Sequence, residues 1–265
     1  MKERDEVMNQ TEINQIIAME MQEPTISQFT NVPDIPELRL KWLGGFRFDG
    51  VNVVATELIQ AGLAMHDRLE SAPKPDSLGA LRQMQADVLG GDYYSSRFYL
   101  LLANAGKIEA ISQLCDSIIE VNQLKIHRYE QLRNGVKVQW SDYANDQISF
   151  RCVLWNVFKA LLADEDKIQF AMLSHRFAEL EWLMDEFVFR QQGLLYPEQW
   201  ASTKVTFLDG SASTFVLDQW KNWYAWYQTL NHNEAKQHSQ HIQRFLQLVE
   251  QPVQRMTQLT AALGR

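Results

Sequence analysis

The chain of 265 residues contains little glycine, proline or cysteine: 12, 7 and 2 residues respectively. Glycine and proline fall below their average usage of about 7% and 5%, which argues against a turn-rich β-sandwich and against collagen-like or linker sequence. Cys115 and Cys152 lie far apart and form no CxxC pair. Free, reduced thiols are therefore expected.

Long apolar runs and a basic charge balance are also missing. The longest apolar run is a few residues, far short of the ~18 needed to span a bilayer, and the polar start MKERDEVMNQTEINQ has no secretory core segment. A net charge of −8 and a pI near 5.3 disfavour non-specific binding to a phosphate backbone. The hydrophobic fraction of 46% excludes wholesale disorder. We expect a soluble, acidic, cytoplasmic protein.

What is abundant is helical periodicity. Apolar residues recur every three to four positions over residues 51–65, 152–163, 168–187 and 242–263. Pro252 is expected to kink or restart the last helix, because proline removes a backbone donor. Only residues 204–207 resemble a strand. We predict an all-α, single-domain helical bundle over residues 31–265, preceded by a polar extension or marginal helix over residues 1–30.

Short breaks separate the predicted helices. Residues 72–75 end one helix, and Asp76 or Ser77 is expected to cap the next. The sequence Gly90-Gly91-Asp92 predicts a second break, with Asp92 accepting backbone N–H bonds at a new helix start. Three further breaks are predicted at residues 134–135, 193–197 and 209–211.

One group of polar residues ends the predicted helix over residues 51–65. Carboxylates at positions i, i+1 and i+4 of a helix can share a divalent metal ion and hold a diphosphate through it, since Mg²⁺ prefers oxygen ligands. Here those positions hold Asp67, Arg68 and Ser71. One aspartate beside an arginine offers no comparable platform, so a solvated helix end is the simpler interpretation.

Two apolar groups have helical spacing. In the stretch from Leu89 to Ala103, the apolar residues Tyr94, Phe98, Leu101 and Leu102 fit one face, which predicts a helix start buried against its neighbours. An aromatic group predicts either core packing or an interface, where tryptophan and tyrosine are enriched. It comprises Trp220, Trp223, Tyr224, Trp226 and Tyr227.

The order of these segments resembles that of trans-polyprenyl diphosphate synthases. In catalytic members a helix ends in an aspartate-rich DDxxD motif, here represented by Met65-His66-Asp67, and a Gly-Asp-Tyr stretch follows, here Gly91-Asp92-Tyr93. The continuation through Gly106-Lys107-Ile108 and residues 119–129 is similar to one subfamily, component 1 of two-component heptaprenyl diphosphate synthases. The specific resemblance covers about residues 50–130.

The resemblance implies a non-catalytic subunit. The first aspartate-rich motif is reduced to Asp67, with Arg68 and Ser71 in place of carboxylates, and the second would fall on Asp185 and Glu186. It implies a catalytic component 2 that carries DDxxD motifs, with Mg²⁺ bound by that partner and not by this chain. Together they would extend farnesyl diphosphate with isopentenyl diphosphate, giving heptaprenyl diphosphate for the menaquinone side chain.

The resemblance also implies roles for two sets of residues. The helix that would begin near Asp92 is expected in the subunit interface, with the motif and interface positions Gly91, Asp92, Tyr93, Phe98 and Leu102. The positions that control product length in catalytic members correspond to Ala61, Gly62, Leu63, Ala64 and Met65, for which ordinary core packing is an equal alternative. A cytoplasmic complex would touch the membrane only through its lipophilic product.

Two alternatives remain open from the sequence. One is an autonomous class I isoprenoid enzyme with an unusual metal site around Asp67 and Asp185. The other is a non-enzymatic helical adaptor that binds a different partner.

Overall fold

The structure is a computed structural model that describes residues 10–21, 36–46, 48–71, 75–136, 138–191, 212–232 and 239–263. All regular elements in these ranges are α-helices, so the predicted all-α fold is confirmed for them. The ten helices are α1 (Gln10–Met21), α2 (Glu37–Gly44), α3 (Gly50–Ser71), α4 (Leu78–Asn104), α5 (Ile108–Arg133), α6 (Trp140–Leu154), α7 (Asn156–Ala160), α8 (Asp164–Gln191), α9 (Ala212–His232) and α10 (Gln240–Leu263).

The chain divides into two compact units. The first comprises Met1–Ile119 and Asn156–Phe158, and the second comprises Glu120–Trp155 and Lys159–Arg265. The predicted boundary between an N-terminal extension and the helical domain, at residues 30 and 31, lies outside the described residues and stays a prediction.

The first unit is built around the paired helices α3 and α4. Helix α3 is buried around its whole circumference between Asn52 and Ile59, a stretch that includes the buried polar residues Asn52, Thr56 and Glu57. Helices α1 and α2 pack against α3. Arg39 of α2 donates to Glu57 Oε2 of α3 at 2.9 Å, and both residues are buried. Removing one partner of such a pair leaves a buried charge uncompensated, at a cost of about 3–5 kcal/mol.

Helix α4 begins where the sequence predicts but does not break where the sequence predicts. Ser77 caps it, because its Oγ accepts a hydrogen bond from the Ala80 N–H at 3.1 Å. The helix then runs without interruption through Gly90, Gly91 and Asp92. The predicted break and the predicted helix start at Asp92 are therefore wrong. A helical glycine costs only about 1 kcal/mol relative to alanine, which close packing offsets.

The second unit includes the long helices α8, α9 and α10, which pack against one another. Helix α10 buries Phe245, Val249 and Met256 and continues through Pro252, so it does not restart there. The helix predicted over residues 152–163 is interrupted at Trp155, between α6 and α7. The predicted break at residues 134–135 is confirmed, and Gly135 there has a φ of +71°. The strand-like residues 204–207 and the breaks at 193–197 and 209–211 lie outside the described residues.

Candidate functional site

The start of α3 is fixed by a short polar chain. Asp49 precedes the helix, and its Oδ1 accepts from the Val51 N–H at 2.7 Å. Its other oxygen lies 2.7 Å from Lys107 Nζ. Lys107 follows Gly106, whose φ of +69° ends α4, and the Lys107 N–H bonds to the Leu102 carbonyl. The start of α3 is thus attached to the turn between α4 and α5.

The middle of the α3–α4 pair is a close crossing that depends on two glycines. A Cβ atom at Gly62 of α3 would overlap the Ser95 hydroxyl and lie 2.9 Å from the Gly91 carbonyl oxygen of α4. A Cβ atom at Gly91 would lie 2.7 Å from the His66 ring. His66 Nε2 is also 3.4 Å from Asp92 Oδ1. Gly91 is therefore a contact glycine in the middle of a helix, and Asp92 faces the end of α3.

Two of the residues predicted to face a partner are core residues of this chain. Phe98 and Leu102 are both 0% exposed. The prediction that they offer apolar surface to a subunit interface is wrong, because α4 turns this side toward the interior. Tyr93 is partly exposed, and its ring centroid lies 5.8 Å from the Arg97 guanidinium.

The predicted chain-length positions also divide between core and surface. Ala61, Gly62 and Met65 are buried, which matches the core-packing alternative for these three. Leu63 is partly exposed and Ala64 is exposed. Within this set, Ala64 is the position with the most access to a neighbouring subunit, and a role in product length stays a prediction.

The first degenerate metal position lies near the end of α3. Asp67 is partly exposed and follows His66 in the last turns of the helix. The side chains of Arg68 and Ser71 lie outside the described part of the structure.

The second degenerate position is described in full, and its two carboxylates point in different directions. Asp185 is exposed, and its Oδ2 accepts from Arg151 Nη2 at 2.7 Å. Glu186 is only 1% exposed, and its Oε1 accepts from the Tyr143 hydroxyl at 3.1 Å. Because Asp185 is held at the surface by Arg151 and Glu186 is buried against Tyr143, the two carboxylates do not converge on one ion. Both carboxylates tie α8 to α6.

The described residues contain no group of three or more His, Cys, Asp or Glu side chains that could hold a metal ion. Asp67 and Asp185 also belong to different units of the chain.

The aromatic residues of α9 form a stacked series inside the second unit. Trp220 and Trp223 stack with ring centroids 5.8 Å apart, and Trp223 Nε1 donates to the Arg176 carbonyl of α8 at 2.9 Å. Trp220, Trp223 and Tyr227 are buried. Of the two predicted roles, core packing is confirmed for these three.

The exposed apolar side chains of α4 and α5 were not predicted from the sequence. These two helices carry ten of the sixteen large hydrophobic residues that are exposed in the described part of the chain. The signal was present in the sequence: α4 contains leucines on the side opposite Phe98 as well as beside it. Helix α4 is buried on one side only, and its exposed side carries these apolar residues together with polar ones such as Gln85 and Asp92.

No helix in the described ranges is both long and apolar enough to cross a lipid bilayer.

Comparison with known proteins identifies the same segment that the sequence resemblance identified. Residues 49–143 match the model of a family described as heptaprenyl diphosphate synthase (HEPPP synthase) subunit 1. Heptaprenyl diphosphate synthase component 1 of Geobacillus stearothermophilus is 34% identical over 79 residues, which are 30% of this chain and 34% of that protein. The aligned segment thus spans about a third of the relative's length. The resemblance is confirmed for this segment: over α3, α4, α5 and the start of α6, the chain is similar to subunit 1 of heptaprenyl diphosphate synthase.

Proposed function

We propose that this chain is the non-catalytic subunit of a two-component trans-polyprenyl diphosphate synthase. The observation that carries the proposal is the match of residues 49–143 to the subunit 1 family. This segment includes the Gly62–Gly91 crossing of α3 and α4, so the part that resembles the family is also an intact helix pair in the structure.

The proposal assigns the chemistry to a partner. Ionisation of an allylic diphosphate requires stabilisation of the departing negative charge, which metal ions and cationic groups supply. Asp185 is bound to Arg151, and Glu186 is buried against Tyr143. These carboxylates do not fit a shared Mg²⁺ ion. We therefore place Mg²⁺ and the DDxxD motifs in component 2, and the role of this chain is to support the active form of that partner.

The reaction of the complex would be condensation of isopentenyl diphosphate onto an allylic primer such as farnesyl diphosphate. The relative's name specifies a heptaprenyl product, and we propose the same seven-unit product here, as the precursor of a menaquinone side chain. The complex would work in the cytoplasm and meet the membrane through its lipophilic product.

Co-expression tests this function. Three samples are compared: this chain alone, a DDxxD-bearing synthase from the same organism alone, and the two purified together. Each sample receives Mg²⁺, farnesyl diphosphate and isopentenyl diphosphate, and the dephosphorylated products are separated by chromatography. We expect the pair to make at least tenfold more long-chain product than either protein makes alone. Long product from this chain alone would support an autonomous enzyme, and equal product from the synthase alone would contradict a subunit role.

A further inference from the structure

The turn between α5 and α6 contains the single Asn-Gly pair of the sequence, Asn134-Gly135. Helix α5 ends at Arg133, and both residues of the pair are exposed. Gly135 has a φ of +71°, a conformation that glycine adopts without strain. A Cβ atom at Gly135 would meet none of the described residues within 4 Å. Water therefore reaches this pair, and the surroundings leave room for a change in its backbone.

An Asn-Gly pair carries both reactants of a deamidation within one dipeptide, so no second protein group has to be brought to them. The Gly135 backbone nitrogen attacks Cγ of Asn134, its proton passes to the departing side-chain nitrogen, and ammonia leaves. The product is a cyclic succinimide. Water then opens the ring: cleavage of the bond from the nitrogen to Cγ gives aspartate, and cleavage of its bond to the main-chain carbonyl carbon gives isoaspartate.

The turn must open before this ring can close. The Asn134 N–H donates to the Glu130 carbonyl at 3.0 Å, and the Val136 N–H donates to the Gln131 carbonyl at 2.9 Å. Both hydrogen bonds belong to the last turn of a helix that ends at the surface. Such ends open at little cost in free energy. The folded chain therefore reaches the reactive conformation without unfolding of a core.

The end of α4 provides a comparison within the same chain. Asn104 is exposed at its helix end as Asn134 is, and Gly106 there has a φ of +69°. The residue that follows Asn104 is Ala105, however, and its Cβ atom crowds the attacking backbone nitrogen. Gly135 has no Cβ atom, so its nitrogen can approach closely. Asn104 should stay intact under conditions in which Asn134 reacts.

Deamidation puts a negative charge where α5 disfavours one. The carbonyl end of a helix carries a partial negative charge, so an anion in its last turn is destabilising. Isoaspartate also adds a methylene group to the main chain, which disrupts the turn that holds the Val136 N–H against Gln131. The chain continues from this turn to Val138 and Trp140, which are buried. The modification should therefore weaken the attachment of the start of α6.

We propose that Asn134-Gly135 is a site of spontaneous deamidation, and that its aspartate and isoaspartate products destabilise the second unit. The reaction requires only water and the exposed turn. It goes beyond the proposed function and does not depend on it.

Ageing of the purified full chain in mildly alkaline buffer tests the proposal, because base removes the Gly135 amide proton. Mass spectrometry of digested samples locates the exchange of an amide for an acid. An isoaspartyl carboxyl methyltransferase with a labelled methyl donor distinguishes isoaspartate from aspartate. We expect both products at residue 134, and we expect Asn104 to react at least about tenfold more slowly.

Three variants test the reason for this difference. Gly135→Ala should slow the reaction at residue 134 at least about tenfold, although alanine is strained at a positive φ. Asn134→Ser removes the reacting amide without that strain and should abolish the reaction there. Ala105→Gly is the matched gain of reactivity, because it creates an Asn-Gly pair at an exposed helix end, and Asn104 should then deamidate. Circular dichroism checks that each variant folds.

Asn134→Asp isolates the effect of the charge on stability. Differential scanning calorimetry should give an unfolding temperature about 1–3 °C below that of the wild type. Added salt should reduce this difference, because it screens an exposed charge. An unfolding temperature equal to that of Asn134→Ser at low salt would overturn the proposed destabilisation by charge.

A synthetic peptide of residues 128–140 gives the reaction rate in the absence of the fold. If the peptide deamidates while residue 134 of the folded chain stays intact, the turn protects the pair and the proposal is overturned. Equal rates at residues 104 and 134 would overturn the role given to Gly135. Failure of the co-expression test would leave all of these outcomes unchanged, so the two proposals fail separately.

Discussion

Replacing Gly62 with alanine should destabilise the first unit, although alanine is the better helix former. The physical reason is the close approach of α3 and α4. An added Cβ atom would overlap the Ser95 hydroxyl and would lie 2.9 Å from the Gly91 carbonyl oxygen and 3.1 Å from the Ser95 backbone nitrogen. The hydroxyl can rotate away. The two backbone atoms can give way only if the helices separate.

The magnitude follows from two opposing effects. Overpacking a well-packed contact costs about 1–3 kcal/mol, and the upper part of this range applies because backbone atoms must move. Replacing glycine by alanine within a helix returns about 1 kcal/mol. The net loss is about 2 kcal/mol. A change of this size lowers the unfolding temperature by about 4–8 °C in a chain of this class.

Two other glycines in the same helices provide controls. A Cβ atom at Gly79, near the start of α4, would meet only Ser77 Oγ at 3.9 Å. Gly79→Ala should therefore be neutral or stabilising by up to about 1 kcal/mol. At Gly91 all three nearest atoms belong to the His66 ring, a partly exposed side chain that can move. Gly91→Ala should cost less than Gly62→Ala, and His66→Ala should relieve most of that cost.

Differential scanning calorimetry of the four variants and the wild type measures these differences. The order of unfolding temperatures from highest to lowest should be Gly79→Ala, wild type, Gly91→Ala and Gly62→Ala. An unfolding temperature for Gly62→Ala at or above the wild-type value would refute the close crossing. Failure of His66→Ala to rescue Gly91→Ala would refute the contact between that ring and α4.

Three further predictions concern other parts of the chain. Phe98→Glu should unfold the first unit instead of splitting a complex, because burying an unpaired charge at a fully buried site costs at least about 4 kcal/mol. The test is loss of the cooperative unfolding transition in the isolated chain, and a normally folded variant would contradict the prediction. Both cysteines are partly exposed, but burial raises the pKa of the Cys152 thiol to about 12. Its thiolate fraction at pH 8 is then about a thousandfold smaller than that of an ordinary thiol, so maleimide should label Cys115 much faster than Cys152 in the folded chain, and equal labelling rates would contradict this. Asp185→Asn should lower the stability by about 1 kcal/mol, since Asp185 is the exposed member of its pair with Arg151. It should lower the activity of the two-component complex less than about tenfold, and a loss of several orders of magnitude in assembled complex would assign this carboxylate to catalysis.

The helical fold could be predicted because its signal is local. The spacing of apolar residues in α3 and α10 follows the helix repeat over more than four turns, and Ser77 is a standard capping residue. The break at Gly90 and Gly91 was predicted wrongly because glycine has two uses. It ends helices where φ is positive, as at Gly135, and it lets helices approach closely, as at Gly91. Which of these two uses applies depends on whether another helix of the same chain packs against the glycine.

The candidate site could be predicted in its chemistry but not in its geometry. Loss of carboxylates around Asp67 is visible in the sequence, because it concerns which residue types are present. Whether Asp185 and Glu186 converge depends on which way adjacent helix positions face, and that is fixed by the packing of α8 against α6. Likewise, the spacing of Phe98 and Leu102 identified an apolar face, but the sequence did not say whether this chain or a partner covers it.

The two sides of α4 explain why that last distinction matters. On its buried side Gly91 contacts α3, and Phe98 and Leu102 are fully covered by this chain. Its other side retains leucines that this unit does not cover. Apolar residues thus recur at helical spacing on both sides of α4, and exposed polar residues such as Gln85 and Asp92 stand among the outer ones. Periodicity alone therefore cannot tell a buried side from an exposed one, because both sides repeat at the same interval. A polar substitution at Phe98 removes buried contacts and should unfold this unit, whereas the same substitution at Leu89 or Leu100 removes few.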